Sequence, residues 1–206
     1  MTTGTIQKLS EYFEKLPGIG SRQARRFVYA LLNKNNNFLD GFSKLISELK
    51  KEISTCQKCN RFFENGKEEI CHICGNSTRD KNLLLVIEKN VDLDNIEKSG
   101  FYKGMYFVLG GLVPAIGSEL PTEVKMRVLF EKVKKEVSEN GLKEIILAFG
   151  ATTEGESTAS YVEKILEPIL TKVPLKISRL GRGLSTGTEL EYSDSETIVN
   201  ALKNRK

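Results

Sequence analysis

The chain has 206 residues and a net charge of +4, with 39% hydrophobic and 28% charged residues, fractions typical of a soluble globular protein of one large or two small domains. No run approaches about 18 apolar residues, and the amino-terminal segment lacks the apolar centre of a signal peptide. We therefore expect no membrane span and a cytoplasmic location.

The excess positive charge lies entirely in the amino-terminal part. Residues 1–80 contain 13 Lys and Arg against 9 Asp and Glu, whereas residues 81–206 contain 18 of each. A basic region of this kind favours contact with nucleic acid. The imbalance is too small to identify the ligand by itself.

Two helices joined by a glycine hairpin, residues 16–20, open the chain. Pro17 predicts the end of the first helix, and Gly18 and Gly20 can adopt positive φ and leave room for a close approach. Apolar residues recur at helical spacing on both sides of this hairpin: Ile6, Leu9, Tyr12, Phe13 and Leu16 before it, and Ala24, Phe27, Val28, Leu31 and Leu32 after it.

The second helix combines a free amino terminus with a basic outer face. A start near Ser21 presents unpaired backbone N–H groups, which attract phosphate. Arg22, Arg25 and Arg26 fall opposite the apolar face, together with Tyr29. This pattern predicts a surface that binds the phosphate backbone of nucleic acid. An ordinary αα-turn with a solvated arginine face is the alternative.

The four cysteines all lie in one short block after a third predicted helix. That helix carries Phe38, Phe42, Leu45, Ile46, Leu49 and Ile53. Cys56-x2-Cys59 is followed, after eleven residues, by Cys71-x2-Cys74. Two such pairs supply four thiolates to a tetrahedral Zn²⁺. Iron in the same cage is one alternative, and disulfides, which a cytoplasmic location disfavours, are the other.

A site closed by four thiolates predicts a structural role for the metal rather than a catalytic one. His72 lies inside the second cysteine pair, and we interpret it as a bystander because the four thiolates already complete the site. The segment from Ser54 to Arg79 is too short and polar to fold on a core of its own. Metal binding would therefore supply its folding free energy.

Strands and helices alternate beyond Arg79. Strands are predicted at residues 83–87, 105–109, 144–149 and 175–180. Helices are predicted at residues 91–98, 122–140 and 157–166 and near the carboxyl terminus, up to about Lys203. Thr122 is the predicted cap of the long helix, Pro168 ends the next one, and Ser193-x-x-Glu196 forms a capping box for the last. This alternation predicts a parallel sheet with helices on its faces.

Acidic residues follow two of the predicted strands. Glu88 ends the first strand, and Glu154-Gly155-Glu156 follows the third. Ligands gather at the carboxyl ends of parallel strands, so one interpretation is a carboxylate cluster for a hard cation such as Mg²⁺. In the other, Glu156 stabilises a helix amino terminus and Glu88 is solvated. The residues alone leave both open.

Several motifs in series resemble the RecR family, and together they cover nearly the whole chain in the same order. They are the Leu-Pro-Gly-Ile-Gly hairpin opening a basic helix, the four-cysteine block, Val86-Ile87-Glu88, Val108-Leu109-Gly110-Gly111, Glu154-Gly155-Glu156-Ser157-Thr158-Ala159, and a tail with Arg179-Leu180-Gly181-Arg182-Gly183-Leu184, Gly187 and Glu189-Leu190-Glu191-Tyr192.

The resemblance implies an α/β multidomain protein. Its parts would be a helix-hairpin-helix domain at residues 1–53, a C4 zinc finger at 54–79, a Toprim-like parallel-sheet domain at 80–175, and a carboxyl-terminal strand and helix at 176–206. By position, Arg22 and Arg26 would contact DNA. Cys56, Cys59, Cys71 and Cys74 would bind zinc, and Glu88, Glu154 and Glu156 would face metal or a partner.

The resemblance also implies a role in the recombinational repair of DNA damage. Family members bind DNA and assemble as ring-like homo-oligomers, here a dimer or a tetramer. They work with RecO and often with RecF, and help to load the recombinase onto single strands covered by single-strand-binding protein.

Two positions depart from the pattern of catalytic Toprim enzymes such as topoisomerases and primases. Those enzymes carry an Asp-x-Asp pair before the Glu-Gly-Glu stretch, and RecR proteins usually carry Asn-Pro-Thr. This chain has Gly150-Ala151-Thr152. Because a hard cation needs several charged oxygen ligands, we expect at most weak Mg²⁺ binding and no enzymatic activity.

Two rival functions stay open on the residues alone. One is a Mg²⁺-dependent Toprim nuclease or primase that uses Glu88, Glu154 and Glu156. The other is a nucleotide-binding regulator that uses the glycine-rich residues 181–188, although that loop lacks the lysine of a P-loop.

Overall fold

The computed structural model describes residues 4–64, 68–115, 120–181, 183–184, 186–187, 189–203 and 205. Arg182 and Thr188, which belong to the tail motif and the glycine-rich loop, lie outside these residues. The chain divides into two compact units, one ending at Ile53 and the other beginning at Ser54. In the ranges described, no helix combines the length and apolarity needed to cross a bilayer.

Three helices build the amino-terminal unit: α1 (Thr5–Glu14), α2 (Ser21–Leu32) and α3 (Asn36–Glu52). Phe13 of α1 packs edge-on against Phe27 of α2, with ring centroids 5.5 Å apart. The Asn35 side chain caps α3 by accepting a hydrogen bond from the Phe38 amide. The prediction that α3 includes Ile53 is wrong, because Ile53 has extended backbone and begins β1.

Residues 54–79, the metal block, form a small two-stranded sheet and one short helix. The strands are β1 (Ile53–Thr55) and β2 (Phe62–Glu64), and the helix is α4 (His72–Gly75). The side chains of Phe63 and Ile73 are buried in the same core as the larger sheet that follows. The metal block therefore shares a core with that sheet instead of standing apart from it.

A four-stranded parallel sheet forms the centre of the second unit, as the alternation predicts. Its strands are β3 (Asp80–Ile87), β4 (Gly104–Val108), β5 (Glu144–Ala148) and β6 (Lys176–Arg179), in the order β4-β3-β5-β6. Ile87 pairs with Val108 on one side and with Ala148 on the other. The carboxyl ends of the three strands therefore meet at one edge, where Glu88 begins the next segment.

Helices α5 (Asn90–Ser99), α6 (Met126–Asn140) and α7 (Thr153–Leu170) connect the strands, and α8 (Ser195–Lys203) follows a short 3₁₀ turn at Leu190–Tyr192. The predicted ends of α5 and α6 are confirmed. Gly100 and Gly141 follow these helices with φ of +66° and +67°, a left-handed conformation that glycine adopts without a Cβ penalty.

The prediction that Thr122 caps α6 is wrong, because the helix begins at Met126. The amide of Val124 donates to the Pro121 carbonyl at 3.0 Å, and the amide of Lys125 donates to the Leu109 carbonyl at 2.8 Å. These bonds fold the segment into a turn and tie it to the residue after β4. The helix therefore starts only once this tertiary pairing ends.

The predicted bounds of α7 and the cap of α8 also need correction. Helix α7 starts at Thr153, four residues before the predicted start, because the Thr152 hydroxyl accepts from the Gly155 amide at 3.1 Å. Pro168 does not end the helix but lies in its last turn. Asp194, not Ser193, accepts from the Thr197 amide at 2.8 Å and caps α8. The Glu196 side chain lies outside the described residues.

Candidate nucleic-acid interface and metal centre

The hairpin between α1 and α2 is a type II turn. The amide of Ile19 donates to the Leu16 carbonyl at 3.2 Å, and Gly18, at the third position, has a φ of +78°. Pro17 supplies the fixed φ that the second position favours. Gly18 is exposed, and no atom lies within 4 Å of the place where its Cβ would be.

Both glycines can adopt positive φ, but only Gly18 does so, and Gly20 has a negative φ. Its φ of −87° is open to any residue, and a Cβ there would also meet nothing within 4 Å. The fold therefore does not require glycine at this position. Gly20 is the N-cap residue of α2, and no side chain caps that end of the helix. Its first-turn amides are thus left open to an external acceptor.

The arginines predicted to contact phosphate surround this helix end. Arg22, Arg25 and Arg26 are all exposed, while Ala24 and Val28 on the opposite face are buried. Within the ranges the structure covers, none of the three arginines forms an ion pair with a carboxylate. Uncompensated guanidinium groups beside open amides make a surface suited to a phosphate backbone.

The four cysteines come together as their spacing predicts. Their sulfur atoms all lie within 4.8 Å of one another, and all four residues are buried. His72 is exposed and is not part of this cluster. Four soft thiolate donors without an open position fit a tetrahedral ion, and zinc is compatible with this donor set.

Hydrogen bonds hold the cysteine pairs in place. The amide of Cys71 donates to the sulfur of Cys56 at 3.3 Å, and the amide of Cys56 donates to the Arg61 carbonyl at 2.8 Å. Hydrogen bonds with the other three thiols, together with burial, raise the pKa of Cys74. Hydrogen bonds with Cys59, Cys71 and Cys74 lower the pKa of Cys56. Because a metal is bound by thiolates, binding of a divalent ion would release the protons of these cysteines.

Asn60 connects the metal block to the edge of the parallel sheet. Its φ of +62° is the only positive value among the described non-glycine residues. Its side-chain Nδ2 donates to the Val108 carbonyl, and the Val108 amide donates to the Cys59 carbonyl, both at 2.8 Å. The cysteine spacing alone does not identify Asn60 as part of the site. Asparagine tolerates the left-handed conformation better than most residues, and this preference was the one local indication of a turn at Asn60.

The three acidic residues predicted at the carboxyl edge, Glu88, Glu154 and Glu156, have different surroundings. Glu88 pairs with Lys89 at 3.0 Å. Glu154 and Glu156 lie in the first turn of α7, not in a loop, and Glu156 pairs with Arg179 at 2.6 Å. In the part of the chain that is described, the cysteines form the only group of three or more closely spaced metal-binding side chains.

Gly155, between the two glutamates, has a structural reason to be glycine. A Cβ on Gly155 would collide with the carbonyl oxygen of Gly150. The start of α7 therefore lies directly against the loop after β5. Gly150 and Thr152, which the resemblance places where catalytic Toprim enzymes have aspartates, serve here as a packing surface and a helix cap.

Comparison with known proteins supports the interpretation of both units. Residues 6–51 match the RecR helix-hairpin-helix family, residues 82–181 the Toprim domain, and residues 183–206 the RecR carboxyl-terminal family. The chain is 37% identical over 207 residues to "Recombination protein RecR" of Prochlorococcus marinus, covering 100% of this chain and 98% of that protein. The chain belongs to the RecR family.

Other relatives are similar to this RecR family member over the same extent. "Recombination protein RecR" of Lactobacillus acidophilus is 35% identical, with 97% of this chain and 96% of that protein covered. The protein of that name from Chlorobaculum tepidum is 31% identical, with 99% and 97% covered. The resemblance drawn from the motifs is thus confirmed, and membership in the RecR family supports a role in recombinational repair.

Proposed function

We propose that this chain is a non-enzymatic, DNA-binding recombination mediator whose amino-terminal hairpin binds the sugar-phosphate backbone. One observation carries this proposal. The open amides at the start of α2 lie beside three exposed arginines that no carboxylate neutralises among the described residues. Gly18, Gly20, Arg22, Arg25 and Arg26 are the proposed DNA-contacting residues.

Binding of this kind does not depend on base sequence. Phosphate contacts position a protein on nucleic acid but carry no sequence information. Each neutralised phosphate releases counterions, so affinity should fall steeply with salt. One copy of the hairpin offers few contacts, and several copies on one DNA would increase avidity without new contacts.

Zinc is the metal we propose for the four-cysteine cluster, with Cys56, Cys59, Cys71 and Cys74 as its ligands. The ion would be structural because four thiolates leave no position for water or substrate. The proposed domains are residues 1–53 for the helix-hairpin-helix, 54–79 for the zinc finger, 80–175 for the Toprim domain, and 176–206 for the carboxyl-terminal strand and helix.

The proposed assembly is a ring-like homo-oligomer, either a dimer or a tetramer. It would act in the cytoplasm with RecO, and with RecF where RecF is present. These partners would help it to load the recombinase on single-stranded DNA. Exposed apolar side chains in the amino-terminal unit support self-association. Helices α1, α2 and α3 line an apolar groove of about 830 Å³, and Leu45, Ile46 and Leu49 of α3 are more than half exposed.

A variant lacking two arginines tests the DNA-binding proposal. Arg22→Ala combined with Arg26→Ala should weaken binding to every DNA sequence and reduce the slope of log affinity against log salt by about two. Fluorescence anisotropy across a salt series measures both. Lys50→Ala with Lys51→Ala, on the exposed end of α3, is the control, because it removes the same net charge elsewhere in the same unit. An unchanged slope in the arginine variant would exclude the hairpin from the DNA site.

A Mg²⁺-dependent Toprim nuclease or primase is the second candidate, and the Toprim match at residues 82–181 favours it. Incubation with labelled DNA and Mg²⁺ or Mn²⁺, followed by native and denaturing gels, separates the two functions. A shift without cleavage or synthesis supports the mediator. Activity that disappears with Glu88→Gln supports the enzyme.

A further inference from the structure

Arg179 is the last residue of β6, and its side chain reaches across to one face of α7. In the sheet register it lies beside Leu147 of β5. Its contacts on the helix are Glu156, Ser160 and Glu163, which follow one another at spacings of four and three residues and so share one helix face. The Arg179 guanidinium therefore contacts one face of α7 from the first turn of that helix to Glu163.

The guanidinium divides its donors between two carboxylates. Nε and Nη2 of Arg179 donate to the two oxygens of Glu163 at 2.9 and 3.0 Å, and Nη1 donates to Glu156 at 2.6 Å. Paired N–H donors on one carboxylate fix the orientation of the arginine as well as its position. The two-oxygen contact with Glu163 thus directs Nη1 at Glu156.

Glu156 is one of the acidic residues that make the carboxyl edge a candidate site for a hard cation. Such a cation requires several charged oxygens that are free to converge on it. Arg179 instead contacts Glu156 directly, and both side chains line a cavity of about 100 Å³ together with Gly150 and Gly155. Glu88, at the end of the neighbouring strand, also has a basic partner in Lys89.

We propose that Arg179 is a resident counter-ion of Glu156 and takes the place of a divalent cation at the carboxyl edge of the sheet. Glu163 orients Arg179 for this role, which makes Arg179 a positioning residue for the acidic edge. The proposal goes beyond the mediator function and does not depend on DNA binding by the hairpin, so either can fail alone.

Binding of Mn²⁺ to the full-length, metal-loaded protein tests the proposal, with electron paramagnetic resonance to measure the free ion. Arg179→Gln should bind Mn²⁺ at least about tenfold more tightly than the wild type, because added charged ligands increase cation affinity. Arg179→Lys keeps the charge and should bind no more tightly than the wild type. Arg179→Gln combined with Glu156→Gln should return to the wild-type affinity.

Two results would overturn the proposal: no gain of Mn²⁺ affinity in Arg179→Gln, or a gain that persists when Glu156 is also replaced. If Arg179→Gln does not fold, Glu156→Gln alone decides. Unchanged Mn²⁺ affinity supports the proposal because Arg179 already occupies that carboxylate, and a loss of affinity contradicts it. Anisotropy with DNA on the same variants reports on the mediator function separately.

Discussion

At the scale of single residues, the two hairpin glycines have different reasons to be glycine. Gly18 has a φ of +78°, which other residues adopt only at a conformational cost, whereas Gly20 has a φ of −87° and open space around it. Gly18 thus belongs to the turn. Gly20 is the N-cap residue of α2, and because it has no side chain, the first-turn amides of the helix have no capping acceptor.

Gly20→Ser should separate these contributions. Serine is a good N-cap residue, so the free energy of unfolding should stay the same or rise by a few tenths of a kcal/mol. Its hydroxyl would occupy an amide that otherwise meets phosphate, so DNA affinity should fall about tenfold, the equivalent of one charged hydrogen bond of about 1.4 kcal/mol. Thermal unfolding and anisotropy measure the two effects.

Gly18→Ala provides the comparison for the stability measurement. It should lower the free energy of unfolding by about 1 kcal/mol, because alanine is strained at this φ. Unchanged DNA affinity in Gly20→Ser would mean that the amino terminus of α2 does not contact the backbone.

At the scale of elements, the ends of α5 and α6, which glycines mark, are more predictable than the starts of α6 and α7. Gly100 and Gly141 identify the ends of α5 and α6 because their left-handed conformation is a local property of glycine. The start of α6 depends on a hydrogen bond from the Lys125 amide to the Leu109 carbonyl. The start of α7 depends on close packing of Gly155 against the Gly150 carbonyl. Such tertiary contacts leave no periodic signal, so Thr122 was wrongly predicted as the cap of α6, and the predicted start of α7 at residue 157 falls four residues too late.

An ion pair at the opposite end of β3 joins three elements. Arg79, just before β3, donates to both oxygens of Glu97 on α5 at 2.9 and 3.2 Å and to the Gly104 carbonyl of β4 at 2.7 Å. Tyr106 of β4 donates to Glu97 at 2.6 Å. Burial tends to raise the pKa of Glu97, but hydrogen bonds from Arg79 and Tyr106 outweigh it and hold that pKa below its ordinary value.

This lowered pKa predicts a pH-dependent contribution to stability. A carboxylate whose pKa falls on folding stabilises the protein above the unfolded value of about 4.3, and that stability is lost as pH falls through the folded pKa. Glu97→Gln should therefore cost about 1–2 kcal/mol at pH 7 and progressively less below pH ~4. Urea unfolding from pH 7 to 3 measures the difference, and a constant gap would contradict the prediction.

At the scale of the whole molecule, the metal block is part of the larger fold. Cys59 and Asn60 hydrogen-bond to Val108 at the edge of β4, and Phe63 and Ile73 are buried in the shared core. The cysteine spacing predicted the cluster because thiolate geometry is local. It could not predict the bonds to β4 or the contacts of Arg179, because both depend on how distant strands come together.

Loss of the metal should consequently affect the sheet as well as the cysteines. Cys71→Ser should release the ion and lower solubility, because the block can no longer fold against β4. Metal analysis and hydrogen exchange at the Val108 amide measure these effects. His72→Ala, an exposed change beside the same cluster, should retain both metal and protection. If Cys71→Ser keeps its metal and its fold, the four-thiolate assignment is wrong.

The contact between Gly155 and the Gly150 carbonyl has a consequence for reading related sequences. The missing side chain of the glycine between Glu154 and Glu156 lets α7 start against the short loop that follows β5. Any sequence that keeps this strand-to-helix junction would therefore need a residue without a Cβ at this position. The Glu-Gly-Glu triplet of this chain is therefore explained by its strand-to-helix junction and does not by itself indicate enzymatic activity.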